Sequence, residues 1–115
     1  MNILTFQITE KDIEQYAVIS GDTNPIHLDI DAAKQHGFPD RVAHGMLTIS
    51  KVLGVLSNDV LSPYEAITDY NFSFSAPVFA GNQITLSIKQ TKNSISVSGE
   101  CEDKKVIKGF VRLAE

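Results

Sequence analysis

The second half of the chain alternates apolar and polar residues with a period of two. Tyr70, Phe72 and Phe74 alternate with Asn71, Ser73 and Ser75 until Pro77 breaks the run, and Ile84, Leu86 and Ile88 alternate with Thr85, Ser87 and Lys89. Ile95 and Val97 then alternate with Ser96 and Ser98, and Ile107, Gly109, Val111 and Leu113 with Lys108, Phe110 and Arg112. A strand sends successive side chains to opposite faces, so these runs predict four half-buried strands with one polar face. The turns between them are short: Gly81-Asn82, Lys92-Asn93 and Glu102-Asp103-Lys104. On this pattern the Tyr70, Phe72 and Phe74 stripe is the face of the sheet that packs on a helix.

The first half follows a helical period after a short strand candidate, Ile3 to Phe6. Thr9 is placed to cap a helix, with Asp12 at the third helical position as a short version of the capping-box glutamate. Ile8 and Ile13 have the spacing of a hydrophobic staple, Ile13, Tyr16 and Ala17 form the apolar stripe, and Gly21 ends the helix. Asp29 can cap a second, short helix through Ala32, Ala33 and Lys34, which Gly37 stops, and Phe38 to Arg41 reads as a turn. The longest apolar segment runs from His44 to Leu56. Met46, Ile49, Val52, Leu53, Val55 and Leu56 cover more than half of a helical circumference, which predicts a buried helix. Gly54 weakens that helix by roughly 1 kcal/mol relative to Ala and suggests close approach of another backbone. A brief connection, Ser57 to Pro63, leads to the strands. Helices first and an antiparallel sheet last predict an α+β domain in which the sheet curls around the apolar helix. The free edges of such a sheet invite pairing in a dimer.

Composition narrows the class. The 115 residues, 43% of them hydrophobic, suit one domain spanning 1–115 with one core. Fourteen acidic against ten basic residues give a net charge of -4, which argues against a nucleic-acid partner. Cys101 is the single cysteine, so no intrachain disulfide forms, and a reducing compartment is expected. The N-terminus has no signal-peptide pattern and no apolar run reaches membrane-spanning length, so the expectation is a cytoplasmic protein without membrane contact.

The candidate chemistry is concentrated in Ser20-Gly21-Asp22-Thr23-Asn24-Pro25-Ile26-His27. Gly21 can take a positive φ, and Pro25 fixes its own φ and extends Asn24. Asp22 and His27 are thereby expected on a stiff, irregular loop, where catalytic groups are often held. Gly-Asp and Asn-Pro are also ordinary turn formers. His36 reads as a partner of a helix C-terminus. His44 reads as a structural hydrogen-bond partner or as a residue lining a site. The spacings of His27, His36 and His44 match no common zinc pattern, so no metal is expected. Cys101 falls in a strand pattern as a buried, inert thiol. Lys89, Lys92, Lys104, Lys105 and Lys108 read as a solvated surface, or as a contact for phosphates or an acidic partner.

The same eight residues, followed by Ala43-His44-Gly45-Met46-Leu47 and by Phe74-Ser75-Ala76-Pro77-Val78-Phe79-Ala80-Gly81, resemble the MaoC-like dehydratases, a group that includes the (R)-specific enoyl-CoA hydratases. The resemblance covers nearly the whole chain. It implies the hot-dog fold, a long central helix wrapped by an antiparallel sheet, and assembly as a homodimer or a dimer of dimers, with acyl thioesters bound near subunit interfaces. It implies Asp22 and His27 as the catalytic carboxylate and imidazole, Asn24 as the residue that orients water or His27, and the Gly45 N–H as the group that binds the thioester oxygen. Pro25, His44 and Met46 follow as substrate-side candidates. Two positions depart from the family pattern. Asn82 stands where Asp is common, with an effect expected at the turn only. Leu53 stands where some members carry a helix serine, with Ser50 as the nearest alternative. The compact chain favours short or medium acyl groups.

Hydration of a 2-enoyl thioester needs a base for the attacking water, an acid for C2, and a donor for the enolate oxygen. A carboxylate and an imidazole sharing one water can supply the first two. A glycine N–H at a helix start can supply the third. The implied reaction is reversible hydration of trans-2-enoyl-CoA to (R)-3-hydroxyacyl-CoA, with coenzyme A as part of the substrate and no further cofactor. The alternatives are dehydration of a 3-hydroxyacyl group on acyl carrier protein, a non-catalytic acyl-thioester-binding subunit, and a thioesterase. Fold alone does not separate them.

Overall fold

The computed structural model describes residues 2–115. The chain runs through β1 (Asn2–Gln7), α1 (Glu10–Ser20), α2 (Pro25–Leu28), α3 (Ile30–Gln35), α4 (Gly45–Asp59), β2 (Ile67–Phe74), β3 (Gln83–Gln90), β4 (Ser94–Cys101) and β5 (Lys104–Leu113). The strands form one antiparallel sheet in the order β1-β3-β4-β5-β2. The apolar positions of the alternating runs, Ile84, Leu86, Ile88, Ile95, Val97, Ile107, Val111 and Leu113, join Leu47, Ile49, Val52 and Leu56 of α4 in a single buried cluster. That is the α+β arrangement the two periods predict, with α4 as the central helix of a curled sheet.

Local signals act where they were read. The Thr9 hydroxyl accepts from Asp12 N and the Asp12 carboxylate accepts from Thr9 N, a complete capping box, and Gly21 ends α1 at φ 78°. Ile8 and Ile13 are both fully buried. Burial pushes the Asp12 carboxyl up, but the Thr9 N–H, the Lys51 ammonium and the Thr9 hydroxyl outweigh it, and its pKa lies below the ordinary carboxylate value. Lys51 Nζ stands 3.0 Å from Asp12 Oδ2, tying α4 to α1. Arg41 adds a second tie, 3.0 Å from Glu10 and 3.5 Å from Glu14.

Two close approaches explain sheet glycines. A Cβ on Gly109 would lie 2.0 Å from Asn71 O and 2.8 Å from Phe72 Cα, and one on Gly99 would lie 2.6 Å from Ile107 Cγ2. The hairpin Cys101-Glu102-Asp103-Lys104 turns with positive φ at Glu102 (51°) and Asp103 (64°). The Cys101 thiol is half-buried, and burial with the neighbouring Glu102 carboxylate raises its pKa.

Several expectations change. Phe72 packs on the core, but Tyr70 and Phe74 remain 43% and 40% exposed. The reason is position: β2 is an edge strand paired only with β5, and its register slips between Ile67 and Asp69. Helix α4 is not buried all round. Met46 and Ser50 are exposed and Leu53 and Gly54 half-exposed, forming one open arc. Among the described residues, nothing beyond the adjoining helix lies within 4 Å of a Cβ built on Gly54, so no other backbone approaches it closely. The helix also continues through Ser57, Asn58 and Asp59, because nothing in those residues breaks it, which shortens the connection to β2.

Candidate active site

The long connection from β2 to β3 crosses the end of the sheet and brings the three motifs together. Val42 pairs with Phe79 in an isolated bridge, Ala43 N donates to Val78 O at 2.7 Å, and Ala80 N donates to Arg41 O at 2.9 Å. Ile8 N donates to Asn82 O and Gly81 N to Ile8 O. The Asn82 side chain accepts from Phe79 N at 2.9 Å, so its effect is at the turn, as expected.

The segment from Ser20 to His27 is held by its own side chains. Asp22 N donates to Ser20 Oγ at 3.1 Å, Asn24 N to Asp22 Oδ1 at 3.3 Å, and Ile26 N to Asn24 Oδ1 at 3.1 Å. Short polar side chains commonly close such two-residue steps. The last step caps α2, and Pro25 occupies its first turn. His27 therefore sits on one turn of helix rather than on an irregular loop. The sequence reading missed that turn, although Asn followed by Pro is an N-cap and N1 signature. Asn24 uses its carbonyl oxygen to cap the helix that carries His27.

His27 is buried, and Asp22 is exposed. His27 Nδ1 lies 2.6 Å from Val42 O. A carbonyl oxygen only accepts, so Nδ1 carries the hydrogen in the neutral ring and Nε2 holds the lone pair. Val42 N in turn donates to Ile26 O at 3.0 Å. His27 Nε2 is 3.7 Å from Asp22 Oδ2. That separation is too long for a direct hydrogen bond, and two acceptors facing each other suit one intervening water.

His44 lies between this pair and α4. Its ring stacks on His27 with centroids 3.7 Å apart and planes at 21°, and its Nε2 lies 3.0 Å from Asp22 O. Asp22, His27 and His44 place three potential ligand atoms within 4.8 Å of one another. Imidazole lone pairs lie in the ring plane, so two stacked rings aim them side by side rather than at a common ion. His44 Nε2 is also engaged by the Asp22 carbonyl. The cluster suits proton chemistry better than chelation.

Gly45 opens α4. Leu47 N and Thr48 N make the first helical bonds, both to His44 O, which leaves the Gly45 N–H ahead of the ladder and free for a ligand. Gly45 lines a cavity of about 320 Å³ with Ala43, Thr48, Phe74, Ala76 and Val78. The Phe74 ring is 3.4 Å from the position a Gly45 Cβ would take. Neither Asp22 nor His27 lines that cavity, and His44 is the connection between them and Gly45. Pro25 and Met46 are exposed and lie outside the lining as well. His36, away from the site, accepts its helix-end role, with Nδ1 2.9 Å from Ala32 O.

Comparison with known proteins shows the family. Residues 3–109 match the family described as MaoC-like domain. An (R)-specific enoyl-CoA hydratase of Rhodospirillum rubrum is 36% identical over 84 residues, covering 73% of this chain and 58% of that protein. A mitochondrial 3-hydroxyacyl-[acyl-carrier-protein] dehydratase of Arabidopsis thaliana is 32% identical over 94 residues, covering 77% of this chain and 55% of that protein. The chain thus spans a little over half the length of these curated relatives. The unliganded R-hydratase PhaJ1 of Pseudomonas aeruginosa superposes with a TM-score of 0.89 at 24% identity, covering 97% of this chain and 77% of that one. At that identity the likeness shows a shared fold.

Proposed function

The chain belongs to the MaoC-like domain family, and from that premise we propose that it is a hydro-lyase that adds water reversibly across trans-2-enoyl-CoA to give (R)-3-hydroxyacyl-CoA. The observation that carries the reading is the 3.7 Å gap between Asp22 Oδ2 and His27 Nε2, with His27 Nδ1 held by Val42 O. Both facing atoms are acceptors, so a water between them donates to each and turns its oxygen lone pair outward. That oxygen attacks C3 of the enoyl group, and the pair takes the proton it loses. The C2=C3 electrons move toward the thioester oxygen, where the Gly45 N–H and the positive end of α4 stabilise the enolate. The pair then delivers a proton to C2. Dehydration is the same path reversed. Coenzyme A enters as part of the substrate.

A second reading is dehydration of a 3-hydroxyacyl group on acyl carrier protein, favoured by the similarity to the plant dehydratase. A homodimer is proposed as the working unit. β2 leaves one edge unpaired and carries Tyr70 and Phe74 half-exposed, with Phe74 against Gly45. A second copy on that edge would cover both aromatics beside the site.

The test is loss of enoyl-thioester absorbance with crotonyl-CoA. Asp22→Ala and His27→Ala should each lower the rate roughly 10²–10⁴-fold, and an (R)-specific 3-hydroxyacyl-CoA dehydrogenase should consume the product. Near-full activity in Asp22→Ala would falsify the assignment. Free thiol in place of hydrated product would make the protein a thioesterase, and turnover of carrier-protein thioesters alone would select the second reading.

A further inference from the structure

His44 is poorly explained by stability. It is the N-cap residue of α4 yet makes no side-chain capping bond, where Ser, Thr, Asp or Asn would close one. His44 is 4% exposed, and among the described residues its Nδ1 is buried without a hydrogen-bond partner. A buried polar atom left unpaired is destabilising. Because the Asp22 carbonyl can only accept, His44 Nε2 carries the hydrogen of that 3.0 Å contact, and the unpaired Nδ1 holds the lone pair. The gains are both at the site. One is an anchor on the Asp22 main chain. The other is a flat surface 3.7 Å from His27, backed by Tyr16 at 4.9 Å.

We propose that His44 is a positioning residue for the Asp22–His27 pair: it fixes Asp22 through the main chain and His27 through the ring face, and ties both to the helix that starts at Gly45. The proposal rests on the hydro-lyase reading for its kinetic consequence but not for its geometry. His27 is held at Nδ1 by one hydrogen bond, about which a ring can still swing, and the stack removes that freedom. The Asp22 carboxylate is held from its own segment only by Asn24 N. The anchor on the carbonyl of the same residue keeps that carboxylate at the distance one water bridges.

His44→Phe keeps a flat ring and removes the anchor, and His44→Ala removes both. Misplacement of about 1 Å lowers rates by up to about 10²-fold, so kcat should fall about tenfold in His44→Phe and about a hundredfold in His44→Ala, with KM within about twofold. Placed in Asp22→Asn, His44→Phe should lower kcat no further, because residues acting as one unit are not additive. Nitrogen-15 imidazole spectra of the substrate-free protein give an independent readout. Wild type should show His27 as a single Nδ1–H tautomer with narrow ring signals and His44 as the Nε2–H tautomer, and His44→Ala should show the His27 ring signals broadened by motion about the Val42 bond. A lower Tm with the His27 line widths and the kcat-to-KM pattern unchanged would overturn the proposal. Additive loss in the double variant, or an Nδ1–H tautomer at His44, would do the same. If His44→Ala does not fold, His44→Phe and the wild-type tautomers decide. If no thioester is turned over, the spectra still judge the placement of His27, and only the hydro-lyase reading falls.

Discussion

In the sheet, Ile84, Leu86, Ile95, Ile107 and Val111 are all fully buried and each supports several others. Between Ser20 and Asn24, alternate side chains each close one step of main chain, and all of those residues are exposed. Apolar packing is non-directional and shared, so the loss of one side chain is spread over its neighbours. A ladder of single hydrogen bonds is directional and unshared, so it aims a carboxylate well but resists perturbation poorly. The molecule therefore separates holding the fold from placing the proposed reacting groups, and substitutions should separate the two as well.

Gly109→Ala should have the largest effect, because it breaks the separation. The new Cβ would lie 2.0 Å from Asn71 O and 2.8 Å from Phe72 Cα, both main-chain atoms of β2. β2 must move or detach, and we expect a loss of at least about 3 kcal/mol in urea unfolding. Since β2 also carries Phe74 against Gly45, the proposed hydratase activity should fall with it. A folded Gly109→Ala variant of normal stability would show that the sheet edge yields more easily than its register implies.

Asp22→Ala sharpens the contrast from the other side. It removes a carboxylate that is exposed and accepts one main-chain N–H. Stability should change by no more than about 1 kcal/mol, while activity falls by the factor of roughly 10²–10⁴ given for the pair. Asn24→Ala should fall between the extremes. Loss of a helix cap is worth about 1 kcal/mol, and the α2 turn that aims His27 loosens, so a rate loss of about tenfold is expected with little change in KM. If both variants destabilised the protein as much as a core truncation does, the segment would belong to the core and the comparison would collapse.

Legibility in the sequence divides along the same line. The strands were readable because alternation is a property of the local run, and the capping box at Thr9 because its partners stand three residues apart. The exposure of Tyr70 and Phe74 was not readable, since β2's place at the edge follows from strand order, which no local pattern encodes. The exposure of Met46 and the partial exposure of Leu53 on α4 were hidden for the same reason. At the candidate site, Asp22 and His27 stood out by residue type and surroundings, and Gly45 by the motif resemblance. The tautomer of His27 could not be read, because it depends on Val42 O fifteen residues away. Nor could the stack between His27 and His44, although a structural hydrogen bond was one of the roles read for His44.

The smallest effect should come from Asp12, which uses the same kind of bond as the Ser20–Asn24 ladder but remote from the reacting groups. Its carboxylate accepts from Thr9 N at 2.9 Å and stands 3.0 Å from Lys51 Nζ. Burial opposes the charge, but these partners together hold the carboxyl below its ordinary value. A carboxyl depressed in the folded state binds its proton more readily when unfolded. Its contribution is therefore fully present above the unfolded value near 3.8 and is lost as pH falls through the folded one. Asp12→Asn should lower stability by about 1 kcal/mol near neutral pH. The gap to wild type should narrow below about pH 4, because protonation removes from the native protein what the substitution has already removed. Urea unfolding of both proteins at the two pH values measures this directly. The proposed hydratase activity in Asp12→Asn should stay within about twofold of wild type wherever both are folded. A larger loss would mean that α1 transmits its capping to Asp22, and that the polar ladders of this chain are not independent of one another.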